Sequence, residues 1–346
     1  MQNPRDPKEA RQPKSTDQPV FDLGTSFAIG PSSFGLQDNC SRRKFLGLVA
    51  SAAVAAPSLA FADEPEPVID IHQHLNYSGR TDGQFVAHQK AMGVTMTILL
   101  PAGRVLDTAS THKGKSNGLA AQISGNADAE AFAKARPQSF RFFANEITDH
   151  AEARPTIEGF LKRGAIGIGE QKFGVDCDSK EFLALCELAR DHRVPILCHF
   201  QHETYNHHFE RFHTVLEKFP EVRFIGHAQT MWAYIDAKCD PKILYPTGKV
   251  TPGGLTDRYL KDYPNFFADM SAGSGLNALL RDEEHTRGFL ERHQDKILFG
   301  SDCNDVLGRG PGCQGTQTIA ALRRLAPSKA IERKILFGNS RKFFGL

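Results

Sequence analysis

Several familiar signatures are missing from this chain. It has seven cysteines in 346 residues, and none is spaced Cys-x-x-Cys, so the spacing offers no zinc-thiolate or redox motif. No Gly-x-Gly-x-x-Gly follows the first apolar strand pattern, which argues against a dinucleotide fold. Neither sign of charge dominates. The formal net charge is +2, but residues 1–62 hold seven Lys/Arg against five Asp/Glu, and the remainder has 35 of each. A balanced surface gives no reason to expect nucleic acid or an anionic membrane as partner. No repeat of 20–50 residues is visible, and the composition is that of an ordinary globular protein, 40% hydrophobic and 24% charged.

What is present falls into two parts. Residues 1–40 are rich in Gln, Pro, Ser and Asp and lack periodicity, which predicts disorder. Then Ser41-Arg42-Arg43-Lys44-Phe45-Leu46 leads into an Ala-rich apolar run that ends Ala60-Phe61-Ala62. A basic start, an apolar middle and a small-residue cleavage pattern predict a signal peptide cut after Ala62. The paired arginines resemble the twin-arginine signal of bacteria. That resemblance implies an export machinery that carries folded proteins, a metal loaded before export, and a periplasmic destination. The run is only weakly apolar, so no stable membrane anchor is expected. After cleavage six cysteines remain, and Cys303 and Cys313 are the pair worth testing for a disulfide.

From residue 67 onward, apolar β-rich runs alternate with helical spacing. Strands are predicted over 68–72, 94–100, 140–145, 165–171, 194–199, 222–227, 266–270 and 297–300. Helices are predicted over 84–92, 120–135, 154–162, 179–192, 209–219 and 276–293, with two more over 314–325 and 328–336. Residues 229–255 read as a long loop with one short helix. This alternation is the pattern of an α/β (β/α)8 TIM barrel, here one catalytic domain over 63–346; an open doubly wound sheet is the competing architecture.

The chemistry sits at the ends of these strands. The first is followed by His72-Gln73-His74, the fourth holds Glu170 with Lys172 just beyond, the fifth ends in His199 and the sixth in His227, and Asp302 follows the eighth. In a (β/α)8 barrel these ends converge on one mouth. Side chains alternate along a strand, so Asp70, His72 and His74 are predicted to share a face, with Asp70 and Arg223 in a buried polar network below. Imidazoles and carboxylates together suit Zn2+ or a similar divalent ion, with coordination left for water.

This set of residues resembles the amidohydrolase superfamily of metal-dependent hydrolases. The ending Ile335-Leu336-Phe337-Gly338-Asn339-Ser340, running into Phe343-Phe344, resembles the amidohydrolase-related branch that includes aminocarboxymuconate-semialdehyde decarboxylase. The resemblance implies that His72, His74, His199 and Asp302 are metal ligands, with Asp302 also a proton shuttle. It implies that His227 ligates a second ion or orients a carbonyl, so His227 and Asp302 are the expected catalytic residues. At the fourth strand the family pattern admits a Glu or a carboxylated Lys. Glu170 is favoured over Lys172 because it is already anionic, and whether it bridges decides between one ion and two. Hydrolysis of an amide, lactone or ester and non-oxidative decarboxylation of a small acid both remain open; metal binding without turnover is the third reading. Arg104, Glu146, Trp232 and Tyr234 are placed near the mouth as substrate contacts, and His202, His207 and His208 on the surface. A small molecule is the expected substrate, and homo-oligomerisation is left open.

Overall fold

The computed structural model describes residues 66–115 and 122–346. The disorder and the cleaved signal peptide expected over 1–62 lie outside the described residues, as does the start of the helix expected from 120. Among the described residues no helix is long and apolar enough to cross a membrane.

Eight parallel strands form the centre: β1 Val68–Gln73, β2 Val94–Leu99, β3 Phe140–Phe142, β4 Ile168–Gln171, β5 Ile196–His199, β6 Phe224–His227, β7 Phe266–Met270 and β8 Ile297–Phe299. They pair in chain order, β1 to β3 and β4 to β8. The two ladders meet at both seams. Ala144 bridges Ile168 in parallel, and the Asp302 N–H donates to the His72 carbonyl at 2.9 Å. The chain is a (β/α)8 barrel, as its alternating pattern predicts.

The helices are α1 Asp82–Ala91, α2 Asn126–Ala135, α3 Ala153–Lys162, α4 Lys180–His192, α5 His213–Lys218, α6 Gln229–Ala233, α7 Leu255–Asp262, α8 Ala272–Leu280, α9 Glu283–Arg292, α10 Gln314–Leu325, α11 Lys329–Arg333 and α12 Asn339–Phe344. The long helix expected over 276–293 is two. Asp282 separates them and caps the second, its carboxylate accepting from the His285 N–H. The expected loop 229–255 does hold one short helix, α6, and ends where α7 begins.

Two apolar layers hold the barrel. Phe85, Phe182, Phe212, Phe224 and Phe266 fill the space between strands and helices. Ile69, Ile71, Leu197, Ile225 and Leu298 form a second cluster with Phe343 from α12. This interior cluster corrects the expected phase of β1. Ile69 and Ile71 point inward below the mouth, and the pairing register of β1 shifts between Asp70 and Gln73. That irregularity turns His72 and His74 into the mouth and leaves Asp70 facing the other way. Asp70 accepts from the Ser301 hydroxyl at 2.5 Å, the Ser301 N–H at 2.9 Å and Gln89 of α1 at 3.2 Å. It clamps β1 to the end of β8.

The expected Asp70–Arg223 network therefore does not form. Arg223 is half-buried, donates to the Phe343 carbonyl, and lies 4.3 Å over the Phe343 ring.

Candidate metal centre

Strand ends bring His72, His74, Glu170, His199, His227 and Asp302 together. All but Asp302 are under 5% exposed. The His72 Nε2 lies 3.5 Å from Glu170 Oε2 and 3.8 Å from Asp302 Oδ1. The His74 Nε2 lies 3.7 Å and 3.4 Å from the same two oxygens. The His227 Nε2 lies 3.7 Å from Glu170 Oε1 and 3.8 Å from Asp302 Oδ2. These gaps exceed hydrogen-bond lengths. They start at the edge length, roughly 3.3–3.6 Å, of a tetrahedron whose N and O donors sit about 2.0–2.2 Å from a central cation, and run to a few tenths of an ångström beyond it. His72 Nε2 and Asp302 Oδ1 are both buried without a hydrogen-bond partner.

The outer ring nitrogens explain why the inner ones are free. The His74 Nδ1–H donates to the Leu100 carbonyl at 2.7 Å. The His72 Nδ1–H donates to Asp269 Oδ2 at 2.6 Å. The Ser271 hydroxyl donates to Asp269 at 2.8 Å, so the His227 Nδ1–H, 2.9 Å away, donates to Ser271. Each ring is thus oriented from outside, and three Nε2 atoms face the carboxylates. His199 differs. Its Nε2 faces the Gln201 amide oxygen at 3.2 Å, while its Nδ1 lies 2.5 Å from Glu170 Oε1. At 2.5 Å only a proton fits between them, so the His199 Nδ1–H donates to Glu170.

Charge follows the same logic. Burial opposes ionisation of Glu170, yet Lys172 and His199 hold its carboxyl well below the usual range. Asp302 is likewise lowered, against burial, by His72 and His74. Burial lowers His199 and His227, reinforced by Lys172 for the first and by His72 for the second. His72 is raised: the charges of Asp302 and Asp269 outweigh its burial. Glu170 and Asp302 are held ionised and His199 and His227 neutral, the states that ligate a cation.

Backbone geometry keeps the parts close. Asp302 has φ 44 and Ala228, next to His227, φ 80, conformations that L side chains adopt at a cost. At Gly300 a Cβ would run into Asp269 Oδ1 and lie 2.8 Å from the His72 Cβ, so only glycine lets β8 approach that pair.

Asp269 and Ser271 are not apparent from the sequence pattern. The signal is present, an acid within the apolar strand Phe266–Met270, but one residue follows it before the strand ends. Because Asp269 fixes one imidazole directly and another through Ser271, Asp269→Asn should weaken divalent-metal affinity about 10–100-fold. Competition against a chromogenic chelator measures this, and an unchanged affinity would deny Asp269 its role in orienting the ligands.

Tyr77, Lys172 and Tyr205 also stand at the mouth, where the strand-end pattern does not place them as substrate contacts. The Tyr77 ring meets His74 edge-on at 5.0 Å, and the Asp302 charge pushes its phenol up. Tyr205 meets His199 at 5.3 Å, and the Lys172 ammonium lies 5.6 Å from the Tyr205 ring.

The four expected substrate contacts lie elsewhere or are already engaged. Arg104 pairs with Glu146 at 2.9 Å, and Glu146 also accepts from the Arg104 and Ile147 N–H groups. The carboxylate is used up in holding its own turn. Trp232 is 2% exposed, donates to the Asp269 carbonyl at 3.0 Å and packs on Phe289, so it supports β7 from behind. Tyr234 packs on Phe209 and lines an outer cleft with Asp236 and Tyr259. His202 and His207 are partly exposed and His208 exposed, on the loop after β5.

Comparison with known proteins gives a consistent answer. The model of a family described as Amidohydrolase matches residues 69–346. No match was found among curated proteins. Three solved structures share the fold at low identity. An uncharacterised TIM-barrel protein of Bordetella bronchiseptica is 15% identical, with a TM-score of 0.57 over 81% of this chain and 98% of its own. A 2,6-dihydroxybenzoate decarboxylase, solved with 2,6-dihydroxybenzoate, is 13% identical, with a TM-score of 0.51 over 82% and 100%. A probable 2-pyrone-4,6-dicarboxylic acid hydrolase of Acinetobacter baumannii, solved with citric acid, is 11% identical, with a TM-score of 0.51 over 81% and 99%.

Proposed function

Since this chain belongs to the amidohydrolase family, we propose that it is a metal-dependent hydrolase of small, carboxylate-bearing molecules, acting on a lactone, amide or ester carbonyl. The observation that carries this reading is the convergence of the His72, His74 and His227 Nε2 atoms on the Glu170 and Asp302 carboxylates. Glu170 turns Oε2 to His72 and His74, and Oε1 to His227. A carboxylate shared in this way supports a pair of divalent ions, zinc by the donor set. When bound, such ions supply Lewis acidity, acidifying water and polarising a carbonyl.

The chain's own residues do the rest. Asp302, its Oδ1 unpartnered, takes the proton of the attacking water and returns it to the leaving group. Tyr77, kept protonated beside Asp302, donates a hydrogen bond at the mouth. Lys172 stays charged against Glu170 and Asp302, and pairs with an anionic group of the substrate. The names of two structural neighbours carry carboxylate substrates, in line with that role.

Lys172→Met is then expected to raise KM for anionic substrates roughly 10–100-fold more than for a neutral analogue, the worth of one charge-assisted hydrogen bond. Steady-state kinetics on an anionic substrate and its neutral amide checks this, and equal losses on both would contradict it.

Decarboxylation on the same scaffold is the second reading, supported by the presence of both chemistries among proteins of similar fold. A panel of lactones, amides and aromatic acids, assayed for hydrolysis product and for CO2, separates the two. Hydrolysis is expected, and CO2 release without hydrolysis overturns the first reading. The Arg42-Arg43 pair and the run to Ala62 support twin-arginine export to the periplasm. Expressed in a bacterium with that pathway, the protein should leave the cytoplasm with Asp63 as its first residue, and Arg42→Lys with Arg43→Lys should retain it inside. N-terminal sequencing of the exported protein reads both.

A further inference from the structure

Outside the mouth, four soft donors meet behind β8. His88 lies on α1 and Met92 just after it; Cys303 follows Asp302, and Cys313 precedes α10. His88 and Cys313 are wholly buried, Cys303 is 2% exposed and Met92 6%. The Cys313 Sγ lies 3.7 Å from the Cys303 Sγ, 3.5 Å from the His88 Nε2 and 3.6 Å from the Met92 Sδ. Both cysteines are free thiols, so the pair singled out for testing is not bonded. In a tetrahedral site, with about 2.3 Å to sulfur and 2.0–2.1 Å to imidazole nitrogen, S···S and S···N edges are roughly 3.7 and 3.5 Å. The observed gaps have those lengths.

The surroundings hold the donors in place. The Cys303 carbonyl accepts from Gln73 at 3.1 Å and Arg80 at 2.9 Å, which pins its backbone toward β1. The Cys313 sulfur caps α10, accepting from the Thr316 N–H at 3.4 Å. At Gly308, with φ +68, a Cβ would collide with the His88 carbonyl, so glycine lets the loop close on α1. Met92 also lines an open cleft with Thr316, Arg309, Arg323 and Arg324.

We propose that His88, Cys303, Cys313 and Met92 form a second metal site, distinct from the mouth, that takes a thiophilic d10 cation such as Zn2+. Two thiolates, an imidazole and a thioether are soft ligands, unlike the N/O set at the mouth. Binding releases the two thiol protons to solvent and ties the loop that follows Asp302 to α1.

Cobalt distinguishes the sites, because only sulfur ligation gives a sulfur-to-cobalt charge-transfer band in the near ultraviolet. The full mature protein, reduced and carrying Cys239→Ser, is titrated with Co2+ and followed by absorbance. The band is expected to saturate, to survive His72→Ala and to vanish in Cys313→Ser and Cys303→Ser. Zn2+ should displace it. Circular dichroism melts check that each variant folds, and His88→Gln, which keeps both sulfurs, should shift and weaken the band if the cysteine variants do not. No band in the reduced protein, or a band unchanged in Cys313→Ser or His88→Gln, would overturn the site.

Discussion

Asp302→Asn is expected to lower kcat by roughly 10^2–10^4-fold, the usual worth of a positioned general acid–base group. Asparagine keeps the shape and tolerates the left-handed backbone at this position, φ 44. It also keeps an oxygen toward His72 and His74. What it loses is the negative charge and the capacity to hold a proton. Asp302 can act as shuttle because, against its partial burial, the neighbouring imidazoles hold its carboxyl ionised. The measurement is kcat on samples whose metal content is determined in parallel, with excess metal added back. A loss that excess metal restores would reduce Asp302 to a ligand, and a fall below tenfold with metal retained would remove it from the chemistry.

Metal removal is the second large effect. The mouth gathers Glu170, Asp302 and Asp269 below the surface, with His72 and Lys172 as positive charge among them. Chelation, or His72→Ala, is expected to abolish activity and to lower the melting temperature. An ion present at about 1,000 times its Kd stabilises by about 4 kcal/mol, which for a domain of this size is roughly 10 °C. The pH dependence has a definite sign. Binding must expel the proton that His72 is drawn to hold, so affinity rises with pH until that raised pKa is passed. In the metal-free protein Glu170 and Asp302 have depressed values, so their contribution to stability is present above the unfolded carboxylate pKa and is lost as pH falls. Differential scanning calorimetry with and without chelator, across pH, follows both. A melting temperature indifferent to chelator would contradict a structural role for the ion.

The barrel was legible because its strands are short apolar runs at regular spacing. The strand ends were legible because burying an ionisable group at the close of an apolar run is costly unless a partner or an ion compensates it. His72, His74, Glu170, His199, His227 and Asp302 all meet in the mouth. The phase of β1 was not legible. Strict alternation put Asp70 beside the histidines, whereas a register shift turns it to Ser301 and Gln89. Asp269 was hidden by position, one residue short of its strand's end. Glu146 and Trp232 sit near the mouth in sequence, but their polar atoms are used in a turn and behind a strand. The sulfur cluster could not be found by spacing at all. Its donors come from the first helix and the last βα loop, which only closure of the barrel brings together.

The proposed chemistry rests on a metal held by the strand-end histidines and carboxylates, and metal content tests it most directly. Elemental analysis of the mature protein carrying Cys313→Ser, which removes the sulfur site, is expected to find about two divalent ions per chain. The same measurement on His72→Ala in that background should find at least one fewer. No bound ion in the parent, or an unchanged content after His72→Ala, would contradict a metal centre at the mouth.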